Sequence, residues 1–348
     1  MTEPKPNPPA PADGWPQSDI SVVICAYADD RWPDLLAAVA SVQAQTVRPR
    51  EIIVVVDHNQ TLLDRVRSDI SGVAVVANVE ARGLSGARNS GVAAATGAIV
   101  AFLDDDAAAA PDWLHHLSAA YDDPWVLGVG GAVEPAWVHG RPAWFPDEFD
   151  WVVGCTYRGM PDQTAPVRNL IGANMSFRRC VLETIGGFRS GIGRIGALPV
   201  GCEETELCIR GRQRWPDGVW RFEPKARVVH TAPAPRARWA YFRRRCYAEG
   251  RSKALVAQLV GAGDGLASER SYTRRTLSAG IRRSLAAAVR GDVAGLARAG
   301  AIAAGFTITA FGYLTGTASF AGRPIPPAAV ARRSRWLHRP WRAAPGGG

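Results

Sequence analysis

Hydrophobic positions in the first half of the chain fall into short unbroken runs, not into alternating ones. SVVICAY (Ser21 to Tyr27), EIIVVVDHN with its strand ending at Asp57, VAVVAN and AIVAFLDDD are runs of this kind, bounded by polar residues. Runs rich in Val and Ile predict strands buried on both faces, as parallel α/β sheets require. Between them the period changes. DLLAAVASVQAQT places Leu35, Leu36, Val39 and Val42 on one helical face, and LSGARNSGVAAATG predicts a helix closed by Gly97. Pro111 and Asp112 open a further helix, and VLGVGGAVEP resumes strand character. Repeated β-α-β units predict a doubly wound, mostly parallel α/β sheet. Such sheets collect ligands beyond the carboxyl ends of their strands, so Asp57 and Asp104 to Asp106 share a rim, with Asp29 and Asp30 near it. From Ala136 to Arg168 the pattern is aperiodic and rich in Trp, Phe and Pro, which predicts irregular structure held by aromatic anchors. No internal repeat is visible.

Composition adds a division. The chain has 348 residues, 47% hydrophobic and 21% charged, enough for a full core and a further segment. Its net charge of +9 is unevenly spread. Residues 236–348 carry about 20 Lys/Arg against about 4 Asp/Glu, roughly +16, which leaves roughly −7 for the remainder. The expected organisation is a disordered Pro-rich leader (1–18), a sheet domain (19–235), a basic helical region (236–322) and a flexible basic tail (323–348). Within the third part, residues 299–320 are uncharged for long enough to cross a bilayer, although Ala and Gly dominate. A spanning helix, an interfacial helix and a soluble packing helix all remain open. Basic charge beside an apolar stretch favours an anionic membrane surface over nucleic acid, whose binders interleave aromatics with charge along a groove. Six scattered cysteines without a C-x-x-C pair predict neither zinc nor a disulfide framework, and fit a reducing cytosol.

The candidate chemistry lies in acidic clusters. Three carboxylates after a buried strand repel one another unless a cation neutralises them. Two separated by one residue can hold Mg²⁺ or Mn²⁺ while phosphate oxygens complete the octahedron. A phosphatase of the haloacid-dehalogenase kind also places D-x-D after a strand, but Ala107 follows here where Thr or Val is wanted. In GCEETELCIR, Glu203, Glu204 and Glu206 suit the first turn of a helix, and Glu204 could also serve as general base if burial raises its pKa. GIGRIG (Gly191 to Gly196) has the spacing of a dinucleotide fingerprint without the strand before or the helix after, and reads as a mobile glycine loop. His230, after the strand-like ARVV, is either a ligand at the rim or an ordinary strand-end histidine.

The ordered set SVVICAY, EIIVVVD, RGLSGARNSG, IVAFLDDD, IGANMSFRRCVLETIGGF and CEETELCIR resembles the family 2 glycosyltransferases, over about Ser21 to His230. The resemblance implies the GT-A fold, an inverting transfer from a nucleotide-diphosphate sugar and a divalent metal, Mg or Mn. It implies that Ala26 and Tyr27 contact the donor base, that Asp57 reads its edge and that Arg88 lies near the diphosphate or the metal-binding rim. It further implies that Asp104 or Asp105 holds the ribose or sugar, that Asp106 ligates metal, with Asp104 and His230 as further candidates, and that Gly172 and Asn174 shape the sugar pocket. Glu204 falls where the family has its base, with Glu203 the alternative. Q-x-x-R-W, the mark of processive synthases, is absent in its usual form, so a single addition to a lipid-linked or polysaccharide-precursor acceptor is expected, at the cytoplasmic face of a membrane. A binding-only relative that has lost catalysis is the competing expectation.

Overall fold

The computed structural model describes residues 18–193, 201–261 and 272–320. Most of the expected leader, the second half of GIGRIG and the tail from residue 323 lie outside the described residues. Among the described residues the sheet has nine strands: β1 (Ile20–Ala26), β2 (Glu51–Val56), β3 (Ala74–Ala77), β4 (Ile99–Asp104), β5 (Ala107–Ala109), β6 (Val126–Trp137), β7 (Ala165–Val167), β8 (Asn174–Arg178) and β9 (Val219–Ala232). Their order is β3-β2-β1-β4-β8-β6-β9-β5, with β7 paired to β9. The first four strands are parallel, β8 runs against β4 and β6, and β6 and β9 are again parallel. The sheet is therefore mixed and mostly parallel.

Register sets the rim. Cys25 on β1 stands beside both Val55 of β2 and Asp104 of β4, so Tyr27, Asp57 and Asp105 leave the sheet at one edge. After Asp106 the short β5 pairs antiparallel with β9, Ala107 opposite His230. That pairing brings a histidine from more than a hundred residues away next to the acidic cluster.

Helices α1 (Trp32–Gln43), α2 (Gln60–Asp69), α3 (Leu84–Ala94), α4 (Trp113–Ala119), α5 (Arg179–Ile185) and α6 (Glu203–Arg214) accompany the sheet. Leu35, Ala38, Val39 and Val42 of α1 are buried, whereas Leu36 is 41% exposed, one position off the expected face. The α2 helix, not anticipated above, is capped by Asn59, whose side chain accepts from Leu62 N at 3.0 Å. Gly97 does not close α3, which ends in extended backbone at Ala95. A Cβ at Gly97 would stand 2.8 Å from Asp19 O and Ser21 N, so the glycine serves a close passage of β1 instead.

Among the described residues, three α-helices follow His230: α7 (Trp239–Val260), α8 (Ser278–Val289) and α9 (Ala294–Phe320). They pack on the sheet domain, Phe242 and Ile302 sharing its main core with Phe145 and Phe149. The α7 and α9 backbones touch. A Cβ at Gly250 would lie 2.0 Å from Thr309 O, and one at Gly312 would lie 2.2 Å from Tyr247 O. The aromatic anchors expected before Arg168 are present, with Trp144 and Phe145 both set edge-on to Phe242.

Candidate active site

The rim residues meet in two adjoining hollows. The smaller is lined by Ala26, Tyr27, Arg31, Asp57 and Asp104 to Asp106. The larger, of about 520 Å³, is lined by Arg88, Asp104, Gly172, Glu203, Glu204 and His230, among others. Leu84 and Asp104 belong to both walls.

Asp57 is fixed in place by its neighbours. Its Oδ1 accepts from Asn78 Nδ2 at 2.6 Å and stands 2.8 Å from His58 Nδ1, while Oδ2 accepts from Gly83 N at 2.9 Å. The residue after it, His58, has φ +52, and the residue before Glu203, Cys202, has φ +72. These are the two non-glycine residues in left-handed backbone among those described. Such strain persists where the surrounding structure over-determines it, and here it flanks acidic residues on both sides of the site.

The triple aspartate divides its roles by partner. Asp106 is buried: Oδ1 lies 2.9 Å from His230 Nε2, and Oδ2 accepts from Arg236 Nη2 at 3.0 Å with Arg31 Nη1 at 3.3 Å. Burial pushes its carboxyl up, but His230, then Arg236 and Arg31, outweigh burial and hold it well below the usual range. Asp105 accepts from Arg31 Nη1 at 2.8 Å through Oδ1, while its buried Oδ2 has no hydrogen-bond partner among the described residues. Burial, only partly opposed by Arg31, raises it to about 7. Asp104 is the exposed member, its side chain 31% accessible.

Arg88, buried on α3, links this cluster to the second. It donates to Glu203 Oε1 at 2.8 Å, to Asp104 Oδ1 at 3.5 Å and to Gly172 O at 3.1 Å. Glu204 turns into the large hollow, where burial and then the Glu203 carboxylate raise it to about 8. Glu206, also on α6, is fully buried between Arg189 and Arg210 and is structural.

Asn174 departs from expectation. It is fully buried and lines neither hollow: it accepts from Trp113 Nε1 at 2.8 Å and donates to Ala132 O and Ala226 O. It ties β8 to β6 and β9, and its neighbour Ala173 lines the cavity. Arg31 and Arg236, which grip Asp106, are not singled out by any sequence motif above. Arg31 follows Asp29 and Asp30 in the loop after β1, a rim position that topology alone could have flagged.

Asp104, Asp106 and His230 can each offer one ligand atom within 4.8 Å of the others. Two carboxylate oxygens and an imidazole nitrogen suit a divalent ion such as Mg²⁺ or Mn²⁺, and the buried Asp105 Oδ2, without a partner among the described residues, is a further oxygen acceptor in the same cluster. The donor set therefore fits a metal.

Comparison with known proteins gives the family and the fold. The family model for glycosyl transferase family 2 matches residues 21–186. A glucosyl-dolichyl phosphate glucuronosyltransferase of Haloferax volcanii is 39% identical over 241 residues, covering 68% of this chain and 77% of that protein. The succinoglycan biosynthesis protein ExoM of Rhizobium meliloti is 24% identical over 242 residues, 67% of this chain and 73% of its own length. Among solved structures, the mannosyltransferase PcManGT from Pyrobaculum calidifontis, in complex with GDP-Man and Mn²⁺, superimposes with a TM-score of 0.53 at 19% identity, covering 89% of this chain and 90% of its own. The fold is that of the GT-A glycosyltransferases.

Proposed function

Because the chain belongs to glycosyl transferase family 2 and is a glycosyltransferase, we propose that it adds a single sugar, with inversion, from a nucleotide-diphosphate sugar to a lipid-linked or polysaccharide-precursor acceptor. The observation that carries this reading is the pairing pattern of the two glutamates. Glu203 is committed to Arg88, whereas Glu204 faces the same cavity as Asp104 with its carboxyl raised to about 8. A base with a pKa near the working pH takes a proton from an acceptor hydroxyl most effectively. Glu204 is thus the base in this reading and Glu203 its positioner.

The donor would lie along the smaller hollow, its base against Ala26 and Tyr27 and its base edge toward Asp57. Asp104 or Asp105 would hold the ribose or sugar. Arg88 would stand near the diphosphate while keeping Glu203 and Gly172 in register. Asp104, Asp106 and His230 would hold the metal, which when bound neutralises charge building on the departing diphosphate. With the leaving group on the rim and Glu204 across the cavity, the acceptor oxygen attacks from the face opposite the diphosphate, and the anomeric configuration inverts. The name of the Haloferax relative, which includes a dolichyl phosphate, supports an acceptor carried on a lipid phosphate and hence work at a membrane, whose cytoplasmic face is part of the same proposal.

Calorimetric titration with nucleotide-diphosphate sugars, with and without Mn²⁺ or Mg²⁺, tests the reading. Binding that needs the metal, retained in Glu204→Gln while transfer is lost, is the expected outcome. Absence of binding to any such donor in either metal would overturn it.

A further inference from the structure

The large cavity is wider than a sugar site needs to be, and its walls change character. Near the carboxylates it is lined by Arg236, Arg245 and Lys253. Arg245 Nη1 and Lys253 Nζ stand 3.2 and 3.7 Å from the carboxylate of Glu249, which places both cations together at this wall. The far wall is apolar. Phe306, Thr309, Ala310, Tyr313 and Leu314, spaced as one stripe of a helix, face the cavity from α9. Trp151 and Leu277 join them from the other elements.

This apolar stripe does not end inside. Phe306 is 44% and Leu314 66% exposed, so the wall runs out to the molecular surface, where Phe311 of the same helix is also exposed. Among the exposed residues of the same helical region are Arg274, Arg275, Arg282 and Arg290, with Arg243, Arg244 and Arg251 on α7. An exposed apolar stripe in a helical region rich in exposed arginines complements an anionic lipid surface.

The packing also determines how α9 meets lipid. By length and composition it could span a bilayer. Yet its Gly305 packs against Phe149 and Phe242, and Gly312 and Gly316 lie on the α7 backbone, which carries Arg243, Arg244, Arg245, Glu249, Arg251 and Lys253. Inserting α9 would draw those charges into hydrocarbon or break the seam.

Resting on the transferase reading above, we infer that the cavity is a two-part acceptor site: Arg245 and Lys253 receive a phosphate, and the α9 stripe from Phe306 to Leu314 seats the hydrocarbon chain attached to it. The chain enters sideways past α9, which lies along the membrane surface and does not cross it. The acceptor class is therefore a sugar-bearing lipid phosphate, not a free polysaccharide end.

The test compares dodecyl phosphate with inorganic phosphate as ligands of the full chain, by calorimetry. Dodecyl phosphate is expected to bind at least about tenfold more tightly, and Leu314→Glu and Phe306→Glu are each expected to reduce its affinity about tenfold while leaving that of inorganic phosphate unchanged. Equal affinity for the two ligands, or unchanged dodecyl phosphate binding in both variants, would overturn the inference. Should a variant lower the melting temperature, a butyl, octyl and dodecyl phosphate series on the unaltered protein decides instead: affinity must rise with chain length. Metal-dependent binding of a nucleotide-diphosphate sugar in the same preparation separates the outcomes, since its loss defeats the transferase reading and its retention confines failure to the acceptor site.

Discussion

The two acidic clusters are built from the same chemistry and held in opposite ways. Just past the end of β4, Asp106 is surrounded by His230, Arg236 and Arg31, which hold its carboxyl well below the usual range. At the start of α6, Glu203 takes the deeply buried Arg88, and Glu204 beside it is pushed toward the protonated form. A carboxylate saturated with cations is suited to gripping charge that never leaves. One deprived of them is suited to accepting and releasing a proton.

Removing Asp106 should break this contrast most severely. Asp106→Ala leaves two arginines and a histidine without their shared anion, and breaking a buried ion pair costs about 3–5 kcal/mol. A lowered melting temperature together with loss of metal-dependent donor binding is expected, read by calorimetry on one sample. Glu204→Gln should be milder for the fold and harsh for turnover. Loss of a general base lowers kcat by about 10²–10⁴-fold, with donor affinity retained, as steady-state kinetics and titration would show.

Acidity sharpens the comparison further. As the proposed base, Glu204 must be deprotonated to act, and burial and the Glu203 carboxylate raise it to about 8; kcat/KM should therefore climb with pH up to about 8, and a profile flat from pH 5 would assign the base elsewhere. Stability should move the other way. A carboxyl whose folded pKa is raised binds its proton more firmly folded than unfolded, so its contribution is present below the unfolded value near 4.3 and is lost as pH rises through about 8. Glu204→Gln should therefore melt higher than the parent at pH 9 and no higher at pH 4, a difference that thermal scans resolve.

The smallest effect concerns the basic helices. Retention of the full chain on vesicles containing anionic lipid should exceed that on neutral ones and should weaken severalfold when salt is raised from about 0.1 to 0.5 M, because the Debye length shortens. Sedimentation with vesicles measures it. Equal retention on the two vesicle types would leave the arginines of α7 and α8 without a lipid partner.

The parallel half of the sheet is legible because buried strands need unbroken apolar runs, and β1, β2 and β4 consist of little else. The residues that meet at the rim are legible for the same reason, since strand ends fix where Tyr27, Asp57 and Asp104 emerge. Which way a side chain points off a short strand is not: Asn174 faces the core and its neighbour Ala173 the cavity. Charge counting draws a line at Arg236, but it says nothing of the contacts made by the residues beside that line. Arg236 is needed at Asp106 and Phe242 in the core, and neither demand leaves a trace in composition. The short α2 helix escapes the apolar pattern because Leu62, Leu63 and Val66 are its only large apolar residues, set among polar and charged ones. Its cap, a lone Asn, marks turns as readily as helix starts.

The glycine seam between α7 and α9 sets the spacing of two helices that both line the large cavity. At Gly312 there is no room for even a single methyl group beside Tyr247 O, so an alanine there must pry the two helices apart. Leverage of that kind, applied with one carbon on the seam, would shift the α9 wall of the cavity, where Phe306, Ala310 and Leu314 stand, without altering the carboxylates on the opposite elements.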